Sequence, residues 1–92
     1  MNSTQNSVWD ALEDTLKMAE DMKMRSRLMI DIREHIENRQ YPPSEAARQL
    51  SMTQPRFDDM MTGKINQFTL DDLVVSAVRA GLSVVMRIRE AG

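Results

Sequence analysis

Two short helical patterns separated by only three residues constrain the fold of this 92-residue chain more than any other feature. The second pattern begins after Thr53, whose hydroxyl can cap free backbone N–H groups, and ends at Gly63, where helices commonly need a left-handed residue. Its apolar residues recur at i, i+3 and i+4, which predicts one buried face. That face consists of Phe57, Met60 and Met61, whereas Gln54, Pro55, Arg56 and Asp59 fall elsewhere near the N-terminal end.

The first of the two patterns is residues 44–50, which follow Tyr41-Pro42-Pro43. A residue before proline avoids helical geometry, so this tripeptide ends the preceding helical region. Two helices joined by a turn as tight as Ser51-Met52-Thr53 form a helix-turn-helix unit, and the alternative is an ordinary helical hairpin. Gln and Arg are the side chains best suited to base edges, which favours a helix that lies in a DNA major groove.

The distribution of charge permits DNA binding without requiring it. The net charge is −2, but residues 1–22 hold five acidic groups against one lysine and carry −4. Residues 23–64 carry +2, and residues 65–92 are neutral. The candidate DNA-binding segment therefore lies in the mildly basic middle of the chain.

Two apolar stripes occupy the helical region that begins near Ser7. The first consists of Val8, Leu12, Leu16 and Ala19, and the second of Leu28, Met29, Ile32 and Ile36. At about 100° per residue the two stripes differ in phase by well over a right angle. Either the chain bends near residues 23–26 so that both stripes enter one core, or one helix presents two faces to two partners.

The C-terminal third predicts one more helix and then a strand. Thr69 caps the helix with Asp72 at the reciprocal position, and Gly81 ends it. The loop before it offers side chains that either contact phosphates or are only solvated: Lys64, Asn66 and Gln67. The tail alternates in the manner of a strand, with Val84, Met86 and Ile88 on one side. An isolated strand needs an outside partner, which is either the same tail of a second copy or another protein that adds a strand.

Several classes of function are excluded by what the sequence lacks. It has no cysteine, and His35 is its single histidine, so no metal site and no cofactor are expected. No nucleophile–base pair or phosphate loop is visible, so the chain is not expected to be an enzyme. No apolar run approaches the roughly 20 residues of a membrane span, and no leader opens the chain, which predicts a cytoplasmic protein.

Several segments together carry a resemblance to a known family. They are residues 28–34, Glu45-Ala46-Ala47, Thr53-Gln54-Pro55-Arg56, Gly63-Lys64, residues 68–73, and Gly81-Leu82 with the tail. Over about residues 25–89 the chain resembles the Xre/Cro-type helix-turn-helix proteins and, within them, the HigA-like antitoxins. The resemblance implies a mainly all-α fold: a five-helix domain at 23–82, an acidic helical extension at 1–22, and a dimerisation strand and tail at 83–92.

The resemblance also implies site residues. The start of the third helix would read bases, with Gln54 on adenine, Pro55 on a thymine methyl, Arg56 on guanine, and Asp59 beside them. The residues expected to contact phosphates are Ser44, Thr53, Lys64, Asn66 and Gln67.

The implied function is a transcriptional repressor that binds a palindromic operator as a homodimer and acts as the antitoxin of a type II pair. The two copies would dimerise through Val84, Met86 and Ile88. Its toxin would be a basic ribonuclease of the RelE/HigB kind. The toxin would bind Val8, Trp9, Leu12 and Leu16 on the acidic extension. Two alternatives stay open: a stand-alone Xre-type regulator, and a toxin-neutralising module with little DNA binding.

Overall fold

The computed structural model describes residues 3–91, and all the regular secondary structure in them is helical. Its elements are α1 (Ser3–Arg39), α2 (Pro43–Gln49), α3 (Gln54–Met61), a 3₁₀ turn (Ile65–Gln67) and α4 (Leu70–Arg79). No helix in this range is both long and apolar enough to cross a membrane. The mainly all-α architecture that the sequence predicts is therefore present.

The core lies where the C-terminal half of α1 meets the three shorter helices. Every helix contributes apolar side chains that solvent does not reach. They are Met29, Ile32 and Ile36 of α1, Ala46 and Ala47 of α2, Leu50 after it, Phe57 and Met60 of α3, Phe68, and Leu73 and Ala77 of α4. The two short helices thus have their inward faces fixed by one shared cluster, and this fixes which side of α3 remains outside.

Helix α1 is unbroken from Ser3 to Arg39, which decides between the two interpretations of its stripes. No Gly or Pro interrupts this segment, so nothing in it breaks the hydrogen-bond ladder. The second stripe enters the core, whereas the first stays in solvent. The exposed fractions of its large side chains and of the neighbouring tryptophan are 63% for Val8, 58% for Trp9, 46% for Leu12 and 58% for Leu16. The helix is therefore continuous and the bend is wrong, whereas a partner for the first stripe stays a prediction. The predicted boundary at residue 22 falls inside this helix.

The predicted fifth helix and C-terminal strand are wrong. Within residues 3–91 there are four α-helices and one 3₁₀ turn, the latter in the predicted loop between α3 and α4. Residues 82–91 have no regular secondary structure, and Val84, Met86 and Ile88 are exposed. The alternation of side chains is real, but a strand also needs a neighbour for its N–H and C=O groups, and the described chain offers only helices. Residue 92, the last of the predicted tail, and residues 1 and 2 of the predicted extension lie outside the described range.

The turn between α2 and α3 is set by a left-handed residue. The N–H of Ser51 donates to the carbonyl of Arg48 at 3.0 Å, and that of Met52 to the carbonyl of Ala47 at 2.9 Å. This pair of bonds is the Schellman motif, and it places Ser51 at a φ of 55°. The same motif ends α3, where the left-handed residue is Gly63 with a φ of 77°.

We therefore expect Ser51→Gly to raise the free energy of unfolding by about 1 kcal/mol, since a side chain disfavours the left-handed region. The reciprocal substitution, Gly63→Ser, should lower the free energy of unfolding by a similar amount, because serine would have to adopt a φ of 77°. Urea denaturation followed by circular dichroism measures both changes. Loss of stability in Ser51→Gly would contradict this account of the turn.

Candidate nucleic-acid interface

Helix α3 is fixed at its start by local hydrogen bonds and along its length by burial. The hydroxyl of Thr53 accepts a hydrogen bond from the backbone N–H of Arg56 at 3.3 Å, so the predicted cap is confirmed. Phe57 and Met60 are buried, while Met61 is only partly so. The helix therefore cannot rotate about its axis without exposing Phe57 and Met60.

The outward side of α3 carries Gln54, Pro55 and Asp58, which are all exposed. Gln54 and Asp58 are one turn apart, so they lie in line along the helix. The amide nitrogen of Gln54 lies 3.5 Å from the carbonyl oxygen of Pro43, at the first residue of α2. The N-terminal ends of α2 and α3 therefore lie close together beside this surface, which we call the outward face (Gln54, Pro55 and Asp58).

Arg56 points away from the outward face and contacts other parts of the same chain, with its side chain 35% exposed. Its guanidinium donates to the backbone carbonyl of Gln67 and to the carboxylate of Asp72, the latter at 3.2 Å. The guanidinium carbon also lies 3.9 Å from the centre of the Phe68 ring, within the range of a cation–π contact. One arginine thus ties the first turn of α3 to the start of α4.

A second arginine holds the same segment from α1. The side chain of Arg25 is only 16% exposed, and its Nη1 donates to the carbonyls of Ile65 and Phe68, each at 3.2 Å. Asp21, one turn earlier on α1, pairs with its Nε. Arg25 therefore ties α1 to the 3₁₀ turn through two carbonyls, and that of Ile65 also accepts a hydrogen bond from the N–H of Phe68. Its partners lie 40 and 43 residues along the chain, so sequence reasoning missed it and no local pattern could have shown it.

The remaining predicted DNA contacts lie around α3, and several have partners within the protein. Nζ of Lys64 is 3.4 Å from a carboxylate oxygen of Asp59, so this lysine and this predicted base reader pair with each other. The side chains of Ser44, Asn66 and Gln67 are exposed. Ser44 lies in the first turn of α2, and the other two lie in the 3₁₀ turn that follows α3.

The region around α3 carries less positive charge than its arginines and lysine suggest. Residues 43–72 contain three basic and five acidic residues, a net charge of −2. Each basic side chain has an acidic partner. The pairs are Arg48 with Glu45, Arg56 with Asp72, and Lys64 with Asp59. The electrostatic attraction of this surface for phosphates is consequently weak, and specificity has to come from contacts with bases.

The predicted capping box at the start of α4 is confirmed, and it also serves α3. The carboxylate of Asp72 accepts from the N–H of Thr69 at 3.0 Å, and the Thr69 hydroxyl accepts from the N–H of Asp72 at 3.1 Å. The Thr69 backbone bond lowers the pKa of Asp72 below its usual 3.8, and Arg56 adds to this. One carboxylate thus caps α4 and anchors the arginine that positions α3.

The charge on Asp72 should make a small, pH-dependent contribution to stability. Because its pKa is lowered on folding, that contribution is complete above about pH 5 and is lost as the pH falls through the lowered value. Asp72→Asn keeps the cap acceptor but removes the charge, so at pH 7 we expect a loss of about 0.5 kcal/mol, as for an exposed ion pair. The difference between the two proteins should shrink in denaturation curves below pH 4. A difference that is the same at pH 3 and pH 7 would contradict this assignment.

Comparisons with known proteins agree with this architecture. A family described as "Helix-turn-helix domain" matches residues 11–89. A solved structure named "Putative XRE Family Transcriptional Regulator" is similar at a TM-score of 0.72 and 22% identity, over 79% of this chain and 82% of that chain. No curated protein matches the sequence. At this identity the structural likeness supports the Xre-type fold. Since the family match spans most of the sequence, the chain belongs to the helix-turn-helix domain family.

Proposed function

We propose that the protein is a DNA-binding transcriptional regulator in which α3 lies in the major groove. The observation that carries this proposal is the outward face: three exposed side chains on a short helix that Arg56 and a buried apolar side hold in place. A helix fixed in this way can present its side chains to base edges without losing much conformational freedom on binding. A repressor is the simplest such regulator, because it needs no contact beyond the operator.

Each residue of the outward face suits a different base. A glutamine amide matches the N6 and N7 edge of adenine, and proline can contact a thymine methyl group. A carboxylate accepts from the N4 amino group of cytosine, which gives Asp58 a role despite its charge. Gln54 and Asp58 are separated by about 6 Å along the helix, so they would contact positions roughly two base pairs apart.

Two of the predicted base readers have different roles in this proposal. Arg56 is occupied by Gln67, Phe68 and Asp72, and Asp59 pairs with Lys64. Reading guanine would require Arg56 to abandon all three contacts. We therefore assign Arg56 to positioning α3, with Asp59 supporting the loop that follows it.

Phosphate contacts would come from polar groups beside α3 rather than from an excess of cations. Ser44, Thr53 and Asn66 are exposed and lie at the start of α2, the start of α3 and the following turn. Lys64 is 63% exposed and could exchange Asp59 for a phosphate. With few cations involved, the affinity should fall only gently with added salt. A homodimer on a palindromic operator would offset the weak contact of each half.

The base-reading role of Asp58 is tested by selecting duplexes from a random pool and measuring the affinity of the selected site and its single-base variants. Asp58→Ala should lose about 5- to 100-fold discrimination at one cytosine position. Its affinity for duplexes that carry another base at that position should stay equal or rise. Asp14→Ala, which removes the same charge from α1, is the matched control and should discriminate like the natural protein. A uniform rise in affinity with unchanged preference would mean that Asp58 only repels DNA.

The positioning role of Arg56 gives the opposite pattern. Arg56→Ala should weaken binding to all duplexes by a similar factor and lower the melting temperature, because it frees the 3₁₀ turn and the start of α4. The preferred sequence should stay the same. If Arg56→Ala instead lost a preference for guanine at one position and kept its melting temperature, Arg56 would be a base-reading residue.

Toxin neutralisation is the second candidate function, and it rests on the N-terminal half of α1. This half carries a net charge of −4 and exposes Val8, Trp9, Leu12 and Leu16, a surface suited to a small basic protein. In this case the protein would be the antitoxin of a pair that represses its own operon.

The experiment for the antitoxin role is co-expression with a small basic protein from the neighbouring reading frame. The full chain should relieve its toxicity and copurify with it. A chain lacking residues 1–19, which keeps the Asp21 partner of Arg25, should do neither, yet it should still bind a half-site duplex, which shows that the domain remains folded. Toxicity that the full chain leaves unrelieved would exclude this role and leave the DNA-binding proposal intact.

A further inference from the structure

The exposed stripe of α1 is longer than its apolar N-terminal part suggests. At about 100° per residue, Val8, Leu12, Leu16 and Ala19 fall within one sector of the helix, and the same sector continues through Lys23 and Arg27 to Ile30. No acidic residue lies in this sector between residues 8 and 30. Ile30 is 47% exposed, although it lies beside the buried Met29. We call this surface the α1 stripe (residues 8, 9, 12, 16, 19, 23, 27 and 30).

The core of the domain does not include the α1 stripe, although Lys23 and Arg27 border a groove that α1 forms with α4 and residues 82–87. The residues of α1 that enter the core, Met29, Ile32 and Ile36, lie on nearly the opposite side of the helix. Because α1 is continuous, its N-terminal half cannot fold back to cover its own side chains. Its exposed apolar residues are concentrated at positions 8–19 and at Ile30, and an exposed apolar surface on a folded protein usually marks an interface.

The charges along α1 indicate which partner fits. Residues 8–22 carry −4, whereas residues 23–39 hold five basic and three acidic residues and carry +2. A second α1 that packs in the antiparallel direction brings the acidic half of each copy beside the basic half of the other. A parallel arrangement would place the two acidic halves together, and like charges in contact are unfavourable.

We propose that two copies of this chain dimerise by antiparallel packing of their α1 stripes, with the two-fold axis at Ala19. In this register Val8 lies opposite Ile30, and Leu12 lies opposite the small Ser26. The small side chain at residue 19 lets the two helices approach closely at the centre. The contact runs over residues 8–30, about 34 Å at 1.5 Å per residue.

An ion pair flanks this seam in each half of the dimer. Glu13 and Arg27 lie on the same edge of the stripe, and the two-fold axis brings Glu13 of one copy beside Arg27 of the other. The side chain of Arg27 is 77% exposed and pairs with Asp31 of its own helix at 3.2 Å. An exposed pair of this kind is weak, so Glu13 of the other copy can replace Asp31 as its partner. The dimer provides two α3 helices for a palindrome, and it does not depend on which bases they read. A basic toxin would compete for the same stripe.

The absence of cysteine allows a direct test by disulfide crosslinking of the full chain. Ala19→Cys should form a covalent dimer under mild oxidation, because residue 19 meets itself across the axis. Met18→Cys is the matched control. It is 72% exposed but lies about 100° away around the helix, so it should remain largely uncrosslinked. Equal crosslinking of the two variants, or none in either, would overturn the proposal.

A charge exchange tests the antiparallel direction separately. Glu13→Arg and Arg27→Glu should each weaken the dimer at least 5-fold in sedimentation equilibrium, and the double variant should recover most of that loss. Circular dichroism verifies that each variant remains helical. A natural protein that sediments at 10.6 kDa at 100 μM, or a double variant weaker than either single one, would contradict antiparallel pairing through the stripe. Binding of a basic toxin to this monomer would then identify the stripe's partner instead.

Discussion

The position of α3 depends on how the short segment after it is held. Residues 65–69 form only a 3₁₀ turn, and three of their carbonyls accept hydrogen bonds from Arg25 of α1 and Arg56 of α3. Each arginine also has a carboxylate partner, so neither charge is left uncompensated where it is partly buried. Phe68 lies between them, buried and stacked on Arg56. Hydrogen bonds from these two arginines therefore join α1, α3 and the start of α4 at this segment.

The same arrangement separates positioning from recognition. An arginine at the start of a recognition helix is chemically well suited to bind guanine. Here, however, Arg56 makes contacts within the protein that hold the helix in place. The proposed function therefore assigns recognition to an amide, a proline and a carboxylate on the outward face. Such a surface has little general attraction for the phosphate backbone, so its discrimination between sequences should be large relative to its affinity. Pairing of two copies would then supply the affinity that one copy lacks.

The sequence predicts well the features that local chemistry determines. The cap at Thr53, the buried Phe57 and Met60, the left-handed Gly63 and the box of Thr69 with Asp72 each rest on a few neighbouring residues, and all are present. The partners of Arg25 and Arg56 could not be predicted, because contacts between distant residues leave no periodic pattern. The prediction of a C-terminal strand was wrong for a related reason. Alternation describes only the side chains, whereas a strand also needs a neighbouring strand whose backbone groups pair with its own.

The most direct test of the account is the change in backbone amide NMR signals of the ¹⁵N-labelled protein when the selected duplex is added. The account predicts the largest changes in residues 53–58 and at the start of α2. The guanidinium signal of Arg56 should change little, because its contacts with Gln67 and Asp72 persist. Changes confined to α1 or to the C-terminal tail, or an Arg56 signal that shifts as strongly as that of Gln54, would contradict it.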